Sequence, residues 1–179
     1  MKLVIDTETN AIDFNAWNKG DRSSLTKLHC LCAIDADTGY EYTFEGDNLS
    51  FGMWMVYTAD EIIAHNAEFD VNVLQTWTQK TLKTPRVFCT YRRAKSMFPN
   101  GFREKRIRNP DRKLSNSLEA WGYRLGVHKD KPPIDWSRQS PKMASYCMQD
   151  CRVTWALYKF LKRRIKWGKL APVLELCSS

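Results

Sequence analysis

Residues 1–10 read MKLVIDTETN, an apolar run that reaches Asp6 and then a second acid at Glu8. The run predicts a strand, in which side chains alternate between the two faces. Leu3 and Ile5 then share one face, and Val4, Asp6 and Glu8 share the other. Two carboxylates on the face of a short buried strand repel each other unless something positive lies between them.

The segments that follow supply the rest of a sheet and its cover. LHCLCAIDADTGYEYTFEG (28–46) alternates about the turn sequence Asp37-Thr38-Gly39 and predicts a hairpin. Residues 47–58 are expected to be helical, and Glu61–His65 forms another apolar strand. In NAEFDVNVLQTW (66–77), Phe69, Asp70, Val73, Leu74 and Trp77 share one helical face. Arg86–Thr90 predicts a further strand that feeds a helix to Met97. SNSLEAWGYRLG (115–126) has a capping serine and a terminating Gly126, and Ser140-Pro141 opens a long helix. Two irregular segments separate these elements, the Arg-rich 98–114 and KDKPPIDWSRQ (129–139). The order predicts one domain over 1–179, an α/β fold with a mixed sheet flanked by helices.

The last helix repeats the anomaly of the first strand. Its inward stripe runs Met143, Tyr146/Cys147, Asp150, Val153/Thr154, Leu157, Leu161 and Ile165, and Asp150 stands where an apolar residue belongs. Tyr146 lies one turn before it on the same face. Asp70 breaks its own stripe in the same way, so Asp6, Glu8, Asp70 and Asp150 all fall on inward positions. No Lys or Arg lies on these stripes to pair with them. A shared divalent cation resolves the conflict, and hard oxygen donors favour Mg2+ or Mn2+ over zinc. Two such ions about 4 Å apart are the usual device for displacement at phosphorus.

Charge points to a polyanionic partner. The net charge of +8 is concentrated in residues 86–131, where thirteen Lys/Arg face four acids. The stretch KFLKRRIKWGK (159–169) is basic as well. Six cysteines give one C-x-C and one C-x3-C but no paired C-x2-C, so reduced, mostly buried thiols are expected. No apolar run is long enough for a membrane span and no signal pattern opens the chain, so a cytoplasmic protein is expected. His65 and His128 have no nucleophile to pair with and read as structural.

DTE (6–8), HNAEFD (65–70) and YCMQD (146–150) resemble the three motifs of DEDDy 3′–5′ exonucleases, D-x-E, N-x2-F/Y-D and Y-x3-D, in the family's order. LEAWGYRLG (118–126) is similar to a stretch in the proofreading domain of T-odd phage family A DNA polymerases. The resemblance implies a ribonuclease H-like (DnaQ-like) fold and two divalent cations. These would be held by Asp6, bridging both, with Glu8 and Asp150 on one and Asp70 on the other. It implies that Tyr146 orients the attacking water and that Thr9 and Glu8 meet the terminal 3′-hydroxyl. Ile12 would wedge between the last two bases, although it also suits a core position. Asn66 would lie near the substrate and fix the local backbone, and it equally suits a helix N-cap.

The implied activity is removal of 5′-mononucleotides from single-stranded or frayed DNA 3′ ends. The polymerase palm, fingers and thumb have no counterpart here, which implies a free-standing exonuclease (in the host cytoplasm, for a phage protein) serving a separately encoded DNA polymerase. An excised domain would read the same. The 98–114 loop matches no motif and is expected to grip DNA or dock that polymerase. A ribonuclease D-type exoribonuclease carries the same motifs, and the phage-polymerase-like segment favours DNA. A non-catalytic nucleic-acid-binding or polymerase-docking module is a third reading, against which all four acids and Tyr146 speak.

Overall fold

The computed structural model describes residues 1–82, 87–99, 115–132 and 135–166. Five strands form one mixed sheet: β1 (Lys2–Thr9), β2 (Leu28–Asp35), β3 (Glu41–Glu45), β4 (Glu61–Ala64) and β5 (Val87–Cys89). Their order is β3-β2-β1-β4-β5. The β2–β3 hairpin and the β1–β2 pair are antiparallel, while β4 runs parallel to both β1 and β5. The first strand of the chain is therefore the centre of the sheet, paired with β2 along its length and with β4 over Lys2–Val4.

Six helices cover it: α1 (Phe14–Trp17), α2 (Leu49–Thr58), α3 (Glu68–Thr78), α4 (Thr90–Met97), α5 (Leu118–Leu125) and α6 (Pro141–Lys166). Alternation along β1 splits the core as the sequence demands. Leu3 and Ile5 pack with Val56 of α2 and Val73 and Leu74 of α3 on one face. Val4, with Cys30, Cys32 and Ile34 of β2, packs against Met143, Cys147 and Cys151 of α6 on the other. Beside α6, Ala94 of α4 and Trp121 of α5 pack against Leu157 and Leu161.

Local chemistry sets the element ends. Gly39 takes φ +80° in the β2–β3 turn, and a Cβ there would run into the Trp155 ring. The Ser117 hydroxyl accepts from the Ala120 amide at 3.3 Å, and Gly126 ends α5 at φ +71°. The Ser140 hydroxyl accepts from the Met143 amide at the start of α6.

Two apolar positions depart from the expected stripes. Trp77 is 40% exposed and Ile165 is 38% exposed. Each lies near the end of its helix. Of the basic 98–114 segment, Phe98 and Pro99 are described, and residues 100–114 lie outside the described residues, as does the chain beyond Lys166. Phe98 closes α4 and packs against Trp121 and Phe160. Among the described residues, no helix is long and apolar enough to cross a membrane.

Gly122 is the tightest joint between α5 and the loop that follows. A Cβ there would lie 2.6 Å from the Val127 carbonyl oxygen. Gly122→Ala should therefore force the α5–α6 connection outward, at a cost of about 1–3 kcal/mol. Thermal melting checks this: the expected outcome is a drop of several degrees, and an unchanged midpoint would show that the joint has slack.

Candidate metal centre

Three separate segments deliver the acids to one place. Asp6 and Glu8 project from the second half of β1, the central strand. Asp70 comes from the first turn of α3, which follows β4 directly in the chain. Asp150 comes from the first half of α6. The crevice beyond the carboxyl ends of adjacent parallel strands is where α/β sheets commonly bind ligands.

The backbone around the acids is specialised. Between β4 and α3, Asn66 adopts the left-handed conformation at φ 58°, a region that asparagine tolerates better than most residues. Its carbonyl accepts from the Phe69 amide, and its side chain does not cap α3; Ala67 occupies the cap position without a side-chain bond. The N-cap expectation is thus replaced by a backbone role, with Asn66 exposed. At the end of β1 the pairing shifts register between Glu8 and Thr9, so that His29 of β2 is an extra residue in the ladder. Thr9 is buried, and its hydroxyl donates to the Asn10 carbonyl. Ile12 is partly buried against the core on the α2–α3 face.

All four acids interact with one another, and each is held above the ordinary carboxylate range. Burial, followed by repulsion from Glu8, Asp70 and Asp150, pushes the partly exposed Asp6 well up. Burial and the charges of Asp150 and Asp70 push Glu8 to about 8. Asp70 rises to about 7 because burial outweighs the bonds its Oδ1 accepts from the Thr7 amide (3.0 Å) and hydroxyl (2.8 Å). Burial raises Asp150 to about 6 against the attraction of Lys129. Carboxylate oxygens of Asp6 and Glu8, two residues apart on one face of β1, lie within 4.8 Å of each other.

Lys129 is the residue the sequence patterns missed. It lies in the loop between α5 and α6, yet its Nζ reaches Asp150 Oδ2 at 2.5 Å with only 20% of its side chain exposed. Burial opposes its charge, but the attraction of Asp150 overcomes this and holds it above the usual lysine range. No stripe periodicity could reveal it, because it arrives from irregular chain. The KDKPP segment thus delivers a cation, and the expectation of unpaired acids is corrected for one of the four.

Tyr146 is half-buried and is held by two contacts: the Lys129 ammonium lies 5.0 Å from its ring centroid, and the Trp136 ring meets it edge-on at 6.1 Å. Burial comes first among the influences that raise its pKa. Trp136 is fixed in turn by the buried His29, whose Nε2–H donates to the Trp136 carbonyl at 2.9 Å. The histidines keep structural places: His65 Nδ1 bonds the Thr90 hydroxyl, and burial lowers it to about 4. The His128 ring meets that of Tyr123 at a tilt of 59°, with centroids 4.8 Å apart.

One oxygen decides whether these residues fit a metal ion. Asp150 Oδ1 is buried with no hydrogen-bond partner, while its other oxygen is taken by Lys129. An orphaned carboxylate oxygen facing a group of like charges lacks a positive ligand, and hard oxygen donors suit a hard divalent cation. No protein-family model matches this chain, and no curated protein matches it. The site therefore stands on its geometry.

The linkage of these acids to stability has a definite sign. Each carboxyl keeps its proton in the folded protein at pH values where the unfolded chain, at about pH 4, has released it. Folding therefore takes up protons, and stability must fall as pH rises through about 6, 7 and 8, the values of Asp150, Asp70 and Glu8. In the presence of EDTA, the melting temperature should be higher at roughly pH 5.5 than at roughly pH 8.5. Asp70→Asn should flatten this slope. A melting temperature that rises toward pH 8.5 would mean that the acids are not gathered as described.

Proposed function

We propose that the chain is a metal-dependent 3′–5′ exonuclease of the DEDDy type, acting on single-stranded or frayed DNA 3′ ends and releasing 5′-mononucleotides. The observation that carries this reading is the buried, unpartnered Oδ1 of Asp150, with Asp6, Glu8 and Asp70 near enough for the four charges to act on one another. Support comes also from the sheet order β3-β2-β1-β4-β5, which is compatible with a ribonuclease H-like fold. Exposed basic residues, among them Lys95 of α4 and Lys159, Lys162 and Arg163 of α6, favour a polyanionic substrate. A separately encoded DNA polymerase is the natural partner for such an activity, as a source of mismatched ends.

In this reading Asp6, Glu8, Asp70 and Asp150 hold two divalent cations, Mg2+ or Mn2+. Bound there, such ions acidify water and neutralise charge on the leaving oxygen. The chain's own side chains do the positioning. Tyr146 directs the attacking water through its hydroxyl, and Lys129 lies against its ring while favouring the ionised form of Asp150. The Trp136 ring and the His29 bond behind it stop Tyr146 from turning away. Water adds to the terminal phosphorus and the 3′-oxygen of the preceding nucleotide departs. Thr9 and Glu8 receive the terminal 3′-hydroxyl, Ile12 separates the last two bases, and Asn66 lies beside the entering strand. Melted ends enter because unstacked bases find apolar surface there.

A 5′-labelled single strand incubated with the protein and Mg2+ should shorten stepwise. Folded wild-type protein that leaves the strand intact would refute the proposal. Asp6→Ala and Asp150→Ala should each lose cleavage by orders of magnitude while remaining folded. Tyr146→Phe keeps every carboxylate and should lose less, roughly tenfold to hundredfold; a loss equal to that of Asp6→Ala would remove Tyr146 from its assigned role.

A further inference from the structure

Beneath the carboxylates lies a second group of donors with different chemistry. Cys30 and Cys32 are two residues apart on β2 and so face the same way, toward α6. Cys147 descends onto them from α6, one residue after Tyr146. All three are fully buried and unoxidised. Their sulfurs lie within 4.8 Å of one another. Sulfurs bound to one zinc ion at about 2.3 Å sit roughly 3.8 Å apart, so closing the trio on a single ion needs a contraction of at most about 1 Å. Core packing and weak sulfur hydrogen bonds oppose it: Cys147 donates to the Asp6 carbonyl at 3.3 Å, and the Cys32 sulfur lies 3.6 Å from the Ala144 carbonyl and 3.8 Å from the Thr43 hydroxyl.

Cys147 belongs to two groups at once. Its sulfur also lies within 4.8 Å of carboxylate oxygens of Asp6 and Glu8, which lie within that distance of each other. The overlap through Cys147 offers what three buried thiols lack, a fourth ligand that turns toward Cys30 and Cys32 on binding, and a way in, since Asp6 is partly exposed. We propose that Cys30, Cys32 and Cys147, completed by a carboxylate oxygen of Asp6 or Glu8, form a thiophilic zinc site at the floor of the carboxylate centre. Zn2+ binds by exchange for the three thiol protons, which pass to solvent; no electron moves. Soft sulfur selects zinc and leaves Mg2+ unbound, so the two groups discriminate between ions. Zinc there draws a carboxylate away from the upper centre and inhibits it. That consequence rests on the exonuclease reading, whereas the site itself does not.

The test uses the whole reduced chain, stripped of metal and loaded with one equivalent of Zn2+. X-ray absorption at the zinc edge should show three sulfurs at about 2.3 Å and an oxygen shell. A shell of oxygen and nitrogen alone, or no zinc bound, overturns the proposal. Titration with Co2+ should produce sulfur-to-cobalt charge-transfer absorption that saturates at one equivalent and survives excess Mg2+. Cys32→Ala and Cys147→Ala should each abolish that absorption, and its persistence in both overturns the trio. If the variants do not fold, the absorption edge of the wild-type protein decides alone. Cleavage with Mg2+ in the absence of zinc is scored separately: sulfur-bound zinc in a protein that never cleaves DNA refutes the exonuclease reading and leaves the zinc site standing.

Discussion

Mutual repulsion among Asp6, Glu8, Asp70 and Asp150 is the constraint around which the fold is arranged. Left to themselves, four ionised carboxylates in a crevice would push β1, α3 and α6 apart. Two contacts ease this repulsion in part: Thr7 donates twice to Asp70, and Lys129 pairs with Asp150. Neither reaches Asp150 Oδ1. The apolar packing on both sides of the sheet must therefore supply the force that keeps the acids together, and β1, paired on both edges, is the element best able to bear it.

Much of this was readable in the sequence because the periodicities of strand and helix are strict. An acid at an even position of β1, with Val4, has to lie on the face opposite Leu3 and Ile5, and it does. Asp70 and Asp150 interrupt stripes that are otherwise apolar, so their inward direction followed from neighbours such as Val73 and Cys147. Trp77 and Ile165 show where that logic ends. A stripe states which side faces inward, but not that every residue on it is buried.

What the patterns could not show is chemistry carried by irregular chain and by non-local approach. Lys129 and Trp136 lie in a segment with no period, and their places are fixed only by partners on α6 and β2. Asn66 illustrates a subtler failure. An asparagine before a helix suggests a cap, yet here the backbone turns left-handed and the side chain is left exposed. Cysteine spacing pointed to reduced, mostly buried thiols, as found among the described residues, but counting along the chain cannot show that β2 and α6 bring three sulfurs together.

The first half of α6 joins these threads in the space of five residues. Tyr146, Cys147 and Asp150 occupy one arc of the helix, so a single rotation sets the hydroxyl, the thiol and the carboxylate together. The rotation is fixed from below by Met143 and Cys151 packing on the sheet. From outside it is fixed by Lys129, whose position depends on the close Gly122–Val127 joint of α5. A change in that joint reaches the carboxylates through the helix, although it touches none of them. Core and site are here one mechanical unit, because the helix that fills the sheet's apolar face is also the helix that completes the group of acids.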